Sequence, residues 1–227
     1  MNNDKTDYAR VVYNDKEIPL TKYPGKLVNF LINKFKLKSG SHLLELGPAR
    51  GDFIKEFHKK NFNIYGVDIS DYVKEYCPEI KFKSANLENE KIPFEDNFFD
   101  VVYTKSFVEH FYYPEKIFLE IFRVLKPGGK IITLTPHWKY MFRYFYEDYS
   151  HRTPFTLESL NYIQKTSGFK NIQTFNFRQL PITWNIKLFI VLTELTRIFL
   201  PDFLGKKFKW VRFSKEIMLL SKAEKPL

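Results

Sequence analysis

LLELGPARGDF, residues 43–53, passes from an apolar segment directly into a turn that holds two glycines. The apolar segment predicts a buried strand, which Gly47 ends. Glycine adopts positive φ and lets the backbone approach a ligand closely, but Ala49 stands midway between Gly47 and Gly51. Taken alone, the stretch fits a cofactor-binding loop and an ordinary strand-to-helix turn equally well.

The rest of the chain alternates between strand-like apolar segments and helical spacings. Such segments recur along the chain, the last two near 169–177 and 216–223, and predicted helices start at Pro114 and Thr156. This alternation predicts an α/β fold with a doubly wound, mostly parallel sheet. We expect a Rossmann-like sheet of seven strands, with an antiparallel last strand and a helical insertion at about 178–212.

The chain of 227 residues is long enough for one sizeable α/β domain but short for two. We therefore expect residues 1–227 to form a single domain. Within it we expect a polar leader and a helix at 1–36, a cofactor-binding core at 37–135, and an acceptor side at 136–227.

The composition is basic and aromatic, with a formal net charge of +10, 24 Phe and 14 Tyr. Such a chain can meet nucleic acid, an anionic membrane or a phosphorylated substrate, although a lysine-rich solvated surface explains the charge as well. The single cysteine, Cys77, excludes a disulfide framework and a multi-cysteine zinc site. No apolar signal segment stands near the start, so we expect a cytoplasmic protein, with the inner face of the membrane as a further option.

The residues that carry chemistry follow the ends of predicted strands. Gly47, Asp68, Asn86 and the segment 104–106 each come directly after one. In a doubly wound sheet these ends lie together at the edge where ligands bind. Asp68 can accept two hydrogen bonds from ribose hydroxyls, or it can simply cap the helix that follows. A NAD-binding loop is not favoured, because it requires glycines two and five positions after Gly47.

Three stretches recur together in one known family. ELGPARG, residues 45–51, gives an acidic residue followed by glycines at alternate positions, with Ala49 in place of the middle glycine. IPFEDNFFDVVYTKSFVEHF, residues 92–111, and EIFRVLKPGGKIITLTP, residues 120–136, are the most specific. With these stretches, the chain from about 43 to 135 resembles the class I S-adenosylmethionine-dependent methyltransferases, in particular the type 11 branch that acts on small molecules.

The resemblance implies an enzyme that uses S-adenosylmethionine as its cofactor. Asn86 stands where the family usually carries an aspartate near the adenine amine, and its carbonyl oxygen can still accept a hydrogen bond. The methyl group of Ala49 narrows the loop and hinders the close approach of a ligand to the backbone without abolishing it. The residues implied in cofactor binding are Glu45, Gly47, Ala49, Gly51, Asp68, Ile69, Asn86, Leu87, Thr104 and Ser106.

Methylation of an alcohol is helped by a general base, for which histidine is the usual choice. His110 lies in the family motif, whereas His151 lies in EDYSHRTPFT, residues 147–156. That loop resembles segments of relatives that methylate sugars or other glycan precursors. We rank His151 slightly above His110 as the base. The candidates for acceptor binding are Tyr112, His137, Arg143 and Arg152.

The expected reaction is O-methylation of a small-molecule acceptor, namely a sugar, phosphorylated or lipid-linked glycan precursor. An RNA or tRNA methyltransferase is the alternative from another class, but no RNA-binding module is visible, and nucleic acid is not the expected partner. A non-catalytic cofactor-binding scaffold is a third reading, which the departures at Ala49 and Asn86 would fit. Glu147, Asp148 and His151 could bind a metal ion, yet three ligands on one solvated loop are weak grounds, and no metal is expected.

A basic, aromatic segment follows an apolar helix near the end of the chain. FLGKKFKWVRFSKE, residues 203–216, interleaves lysines with Phe208, Trp210 and Phe213. Together with the apolar WNIKLFIVLTELTRIFL before it, this predicts either peripheral membrane association through about 184–213 or a lid or dimer surface. The apolar stretch is too short and too charged for a membrane span, and the sequence does not predict the oligomeric state.

Overall fold

A seven-stranded sheet forms the centre of the computed structural model, which describes residues 7–227. Its strands are β1 (His42–Leu46), β2 (Asn63–Asp68), β3 (Lys81–Ser84), β4 (Phe99–Lys105), β5 (Leu125–Pro136), β6 (Lys170–Arg178) and β7 (Ile217–Glu224). Neighbouring strands follow the order β3-β2-β1-β4-β5-β7-β6. The first five are parallel, while β7 runs antiparallel to β5 and β6. The predicted fold class and the antiparallel last strand are confirmed.

Helices connect the strands and cover the sheet. They are α1 (Tyr8–Val12), α2 (Tyr23–Phe35), α3 (Ile54–His58), α4 (Val73–Tyr76), α5 (Pro114–Val124), α6 (Trp138–Met141), α7 (Leu157–Thr166), α8 (Ile182–Asn185), α9 (Lys187–Phe199) and α10 (Lys209–Lys215). Thr156 caps α7 as expected, because its hydroxyl accepts from the Ser159 N–H at 3.2 Å and Ser159 Oγ accepts from the Thr156 N–H at 2.9 Å. The predicted insertion between β6 and β7 holds α8, α9 and α10.

Strand β1 shows why the sheet is buried on both faces. Leu43 packs into one apolar cluster with α2 and α3, whereas Leu44 and Leu46 pack into a second one with α5. All three leucines are fully buried. The strand order reverses between β1 and β4, whose connections leave in opposite directions, so the carboxyl ends of these two strands border an open crevice.

The start of the chain departs from the predicted leader without periodicity. Its residues 1–6 lie outside the described part, but α1 forms directly after them, with Asp7 accepting from the Ala9 N–H at 2.9 Å as its N-cap. At the other end, α9 leaves much of its apolar surface exposed. Among residues 7–227, no helix combines the length and the apolar character needed to cross a bilayer.

Candidate functional site

A cavity of about 510 Å³ lies at the carboxyl ends of β1, β2 and β4, where the strand order reverses. Seven of the ten residues that the sequence assigns to the cofactor line this cavity, and His110 lines it as well. We call it the first cavity. The seven are Gly47, Ala49, Asp68, Ile69, Asn86, Leu87 and Ser106.

The glycine turn after β1 has a left-handed backbone at its three alternating positions. The φ angles are +68° at Gly47, +46° at Ala49 and +82° at Gly51. A Cβ atom built on Gly47 would lie 2.3 Å from the Phe107 ring, so no other residue fits there without displacing that ring. The positive φ of Ala49 is one that glycine tolerates and that a residue with a Cβ atom adopts only at a cost in free energy.

Asp68 joins the end of β2 to this turn. Its Oδ2 accepts from the Ala49 N–H at 3.1 Å, and its Oδ1 accepts from the Ser70 N–H at 3.3 Å. Burial raises the pKa of Asp68, while these backbone donors oppose the rise. The carboxylate is thus fixed by the backbone, and each oxygen keeps a lone pair for a ligand in the first cavity.

Asn86 lies after β3 at the far end of the first cavity, next to the buried Leu87. Its Oδ1, which we expected to accept from an adenine amine, accepts from the Glu88 N–H at 3.1 Å. One lone pair of that oxygen remains. The Asn86 side chain therefore already stabilises its own turn, and the buried Leu87 contributes an apolar part of the cavity wall.

Helix α1 covers the first cavity, which the sequence did not indicate. Tyr8, Ala9 and Tyr13 line it. The Tyr8 hydroxyl donates to Asp148 Oδ2 at 2.6 Å, a bond that ties α1 to the loop before α7. The pKa of Tyr8 is raised, mainly by burial and then by this carboxylate. In a stretch as polar and short as 1–20, periodicity gives too weak a signal to predict such a contact.

A second cavity, of about 520 Å³, adjoins the first. Residues from both ends of the chain line it, including Lys22 and Tyr23 at the start of α2 and Lys209 and Phe213 on α10. The two cavities share the lining residues Tyr13, Gly47, Ala49 and Ser106. Because its walls come from segments far apart in the chain, no local motif could have located it.

Glu45 and Lys105 lie at the floor of the second cavity, on neighbouring strands. Glu45 is buried, and its Oε2 has no hydrogen-bond partner among the described residues. Burial raises the pKa of Glu45 and lowers the pKa of Lys105. Lys105 Nζ reaches Ser106 Oγ only at 3.5 Å and lies 5.3 Å from the Phe53 ring centroid. Both side chains therefore keep polar atoms that a ligand can reach.

His110 and His151 meet beside the first cavity. Their ring centroids are 4.8 Å apart, and His151 Nε2 lies 4.0 Å from Oε1 of the fully buried Glu109. Burial lowers the pKa of His110, and the neighbouring His151 adds to the effect. Of the two histidines that the sequence offered as a base, only His110 lines the cavity.

Seven predicted site residues line neither cavity. His137 is buried, with Nδ1 3.0 Å from Asn176 Oδ1 on β6, and Arg143 donates to Asp202 Oδ2 at 2.9 Å. These partners belong to β6 and the insertion, so they turn the residues after β5 away from the cavities. The seven are Gly51, Thr104, Tyr112, His137, Arg143, His151 and Arg152.

Residues 44–133 match the family model described as "Methyltransferase domain". This segment is a domain of the type 11 family of class I S-adenosylmethionine-dependent methyltransferases. The family, the enzyme class and the cofactor implied by the sequence are confirmed at the level of this domain. The match covers most of β1 to β5, and the residues that directly follow β1 and β4, Gly47 and Ser106, border both cavities.

Two curated relatives show how far the similarity of this methyltransferase extends. A sterol 24-C-methyltransferase of Schizosaccharomyces pombe is 33% identical over 111 residues, 44% of this chain and 29% of that protein. Phosphoethanolamine N-methyltransferase 2 of Caenorhabditis elegans is 26% identical over 160 residues, 64% of this chain and 36% of that protein. The chain thus spans about a third of the length of these relatives.

A solved structure extends the similarity to the fold of nearly the whole chain. Phosphoethanolamine N-methyltransferase 2 of Haemonchus contortus, in complex with phosphomonomethylethanolamine and S-adenosylhomocysteine, matches with a TM-score of 0.69 at 19% identity. The match covers 96% of this chain and 59% of that one. At this identity the likeness concerns the fold alone.

The residues of the methyltransferase fit its family cofactor at three places. The turn at Gly47 and Ala49 lines the first cavity, and the missing Cβ of Gly47 lets a ligand approach the backbone there. The buried Glu45 Oε2 has no partner in the described chain and suits the cationic amino group of the methionine end. Asp68 lines the first cavity with free lone pairs, which suits ribose hydroxyls.

Proposed function

We propose that the methyltransferase transfers a methyl group from S-adenosylmethionine to an anionic small molecule held in the second cavity. The observation that carries the proposal is the junction of the two cavities at Tyr13, Gly47, Ala49 and Ser106. When bound, S-adenosylmethionine supplies a methyl group on a positively charged sulfur. With its nucleoside in the first cavity and its methionine end at Glu45, the cofactor would present its methyl group at this junction to an acceptor in the rest of the second cavity.

The charge of the second cavity supports an anionic acceptor. Four lysines line it, and none of them makes an ion pair with a carboxylate within residues 7–227. Of the acidic residues there, Asp52 is already paired with Arg50, at 2.7 Å between Oδ2 and Nη2. Ammonium groups without partners attract phosphate, and a phosphorylated acceptor therefore suits this cavity. The four are Lys22, Lys26, Lys105 and Lys209.

The finer proposal is O-methylation of a sugar, phosphorylated or lipid-linked glycan precursor. A hydroxyl acceptor loses its proton, and a neutral imidazole is a suitable base. The lowered pKa of His110 keeps this side chain neutral near pH 7, and its place in the cavity wall favours it over His151. The names of the Caenorhabditis and Haemonchus relatives, which include a phosphorylated amine, support the anionic acceptor but not the choice of oxygen.

Transfer of radiolabelled methyl from S-adenosylmethionine into fractionated cell extract tests the proposal. We expect label in small molecules or lipids that lose acceptor activity after phosphatase treatment. Lys22→Ala combined with Lys209→Ala should raise the KM for the acceptor at least about tenfold, since each removes a charge-assisted contact. Lys170→Ala, an exposed lysine on β6, is the matched control. Label in nuclease-sensitive material would support the RNA alternative, and no label at all would support the scaffold.

We infer that the outer face of α9 associates with anionic membranes. Leu188, Val191, Leu195 and Ile198 recur at helical spacing on this face, and each is at least 46% exposed. Such an apolar stripe beside the basic segment 206–209 is typical of interfacial helices. A membrane surface would also suit a lipid-linked acceptor.

Flotation with phosphatidylglycerol vesicles tests this association. The unchanged chain should float at low salt, and Leu195→Asp should weaken flotation, because a charge then faces the acyl region. Tyr162→Asp, at an exposed apolar residue of α7, is the matched control and should float normally. Failure of the unchanged chain to float without salt would contradict the inference while leaving the proposed methyl transfer intact.

A further inference from the structure

Glu109, His110 and His151 form a cluster with the composition of a metal site. One ligating atom of each lies within 4.8 Å of those of the other two. Glu109 and His110 follow β4 in a short 3₁₀ turn, while His151 lies in the loop before α7. The N–H groups of Arg152 and Thr153 both donate to the Glu109 carbonyl, at 2.8 and 3.0 Å, and so join the two segments.

Hydrogen bonds hold both imidazoles with Nε2 free. His151 Nδ1 bonds the Phe145 carbonyl, which can only accept, so Nδ1 carries the hydrogen. Ser150 gives its single hydroxyl hydrogen to Asp148 and therefore accepts from His110 Nδ1 at 2.9 Å. Both Nε2 atoms keep a lone pair, and this is the form in which metal-binding histidines are oriented.

Glu109 adds a carboxylate oxygen that lacks a partner. The side chain is fully buried, and Oε2 accepts from Thr135 Oγ1 at 3.0 Å. Oε1 has no hydrogen-bond partner within residues 7–227. Burial raises the pKa of Glu109 to about 7. A buried carboxylate oxygen without a donor is costly unless a cation faces it.

We propose that Glu109, His110 and His151 bind one divalent cation of the first transition row. Two imidazoles and one carboxylate suit Zn²⁺, Co²⁺ or Fe²⁺, whereas Mg²⁺ and Ca²⁺ prefer oxygen ligands. Bonds of about 2.0–2.2 Å place ligand atoms about 3.3 Å apart. His151 Nε2 and Glu109 Oε1, now 4.0 Å apart, would have to approach slightly on binding.

This set differs from the trio of one loop considered in the sequence. Asp148 is already engaged by the Tyr8 and Ser150 hydroxyls. The buried carboxylate comes instead from Glu109, at the end of the neighbouring strand. Only the folded chain brings Glu109 and His151 together.

Three protein ligands leave coordination positions open for water or an acceptor. Because His110 lines the first cavity, an acceptor hydroxyl that reaches the cation there would lose its proton more easily. With the cation on its Nε2 atom, His110 would no longer act as the base, and the cation would activate the hydroxyl in its place. This use of the cation rests on the proposed function. Binding of the cation does not, so the two can fail separately.

Titration of the chelator-treated full chain with Co²⁺, followed by visible absorption, tests the site. We expect one equivalent to bind with the spectrum of nitrogen and oxygen ligation. Glu109→Gln and His151→Asn should each weaken binding about 100-fold or more, beyond the 10–100-fold typical of residues behind the ligands. Glu147→Gln on the same loop and the exposed His58→Asn are the controls and should bind as the unchanged chain does.

Unfolding and turnover give two further readouts. Zn²⁺ at about 100 times its Kd should raise the Tm of the unchanged chain by about 5–10 °C, but not that of His110→Asn or His151→Asn, so the result stands even if Glu109→Gln fails to fold. Absence of binding, or equal binding in all variants, would overturn the proposed site. Full methyl transfer by the metal-free protein would overturn its use in the reaction.

Discussion

Replacing Ala49 by glycine tests whether the cofactor loop is strained. Ala49 has a φ of +46°, in the left-handed region, which costs a residue with a Cβ about 1–2 kcal/mol. Glycine removes this cost but adds about 0.4–1 kcal/mol of conformational entropy to the unfolded chain. We therefore expect Ala49→Gly to raise the free energy of unfolding by about 0.5–1 kcal/mol.

Urea unfolding followed by circular dichroism measures this change, which for a chain of 227 residues corresponds to about 1–4 °C in Tm. Ala223→Gly is the matched control, because Ala223 is a fully buried alanine near the end of β7 without a positive φ. It should lose about 0.5–1 kcal/mol or more, since glycine weakens a strand. Equal losses in the two variants would refute the reasoning, since they would show that the Ala49 methyl contributes more by its contacts than its backbone costs.

Three further substitutions test the cofactor loop and its supports. Gly47→Ala would place a Cβ 2.3 Å from the Phe107 ring, so we expect the Kd for S-adenosylmethionine in calorimetry to rise at least about tenfold. Unchanged affinity would show that the ring moves aside freely. Asp68→Ala should abolish binding measurable by calorimetry, because the ribose loses its acceptor; an unaltered isotherm would refute the pocket assignment. Arg50→Met should cost about 3 kcal/mol in urea unfolding, because Arg50 is 1% exposed and its loss leaves Asp52 without its partner. A change below about 1 kcal/mol would show that the pair adds little net stability.

The sequence predicts the fold well because the pattern is repeated and local. Strands β1, β2 and β4 are short apolar runs ended by a polar or glycine residue, and Pro114 and Thr156 start helices for local reasons. The leader could not be predicted in the same way. Helix α1 has five residues, and it is held by the contact of Tyr8 with Asp148, which is 140 positions away.

In the candidate site, too, the sequence predicts the residues that local structure positions and misses those that distant segments bring together. Gly47, Asp68 and Ser106 line the first cavity because each ends a strand at one edge of the sheet, and position in the strand fixes that edge. Thr104 lines neither cavity, because it lies within β4, two residues before Ser106, and its hydroxyl is buried inside the sheet. Glu109 was known only as part of a motif. Its relation to His151 depends on how a distant loop folds back, which spacing along the chain does not encode.

The hydrogen bond between Tyr8 and Asp148 connects α1, which lines the first cavity, to His110 on another wall of that cavity. Asp148 accepts from Ser150, and Ser150 accepts in turn from His110, so four side chains form one relay from α1 to the imidazole. The wall that α1 adds to the first cavity and the tautomer of His110 therefore depend on one connected set of hydrogen bonds.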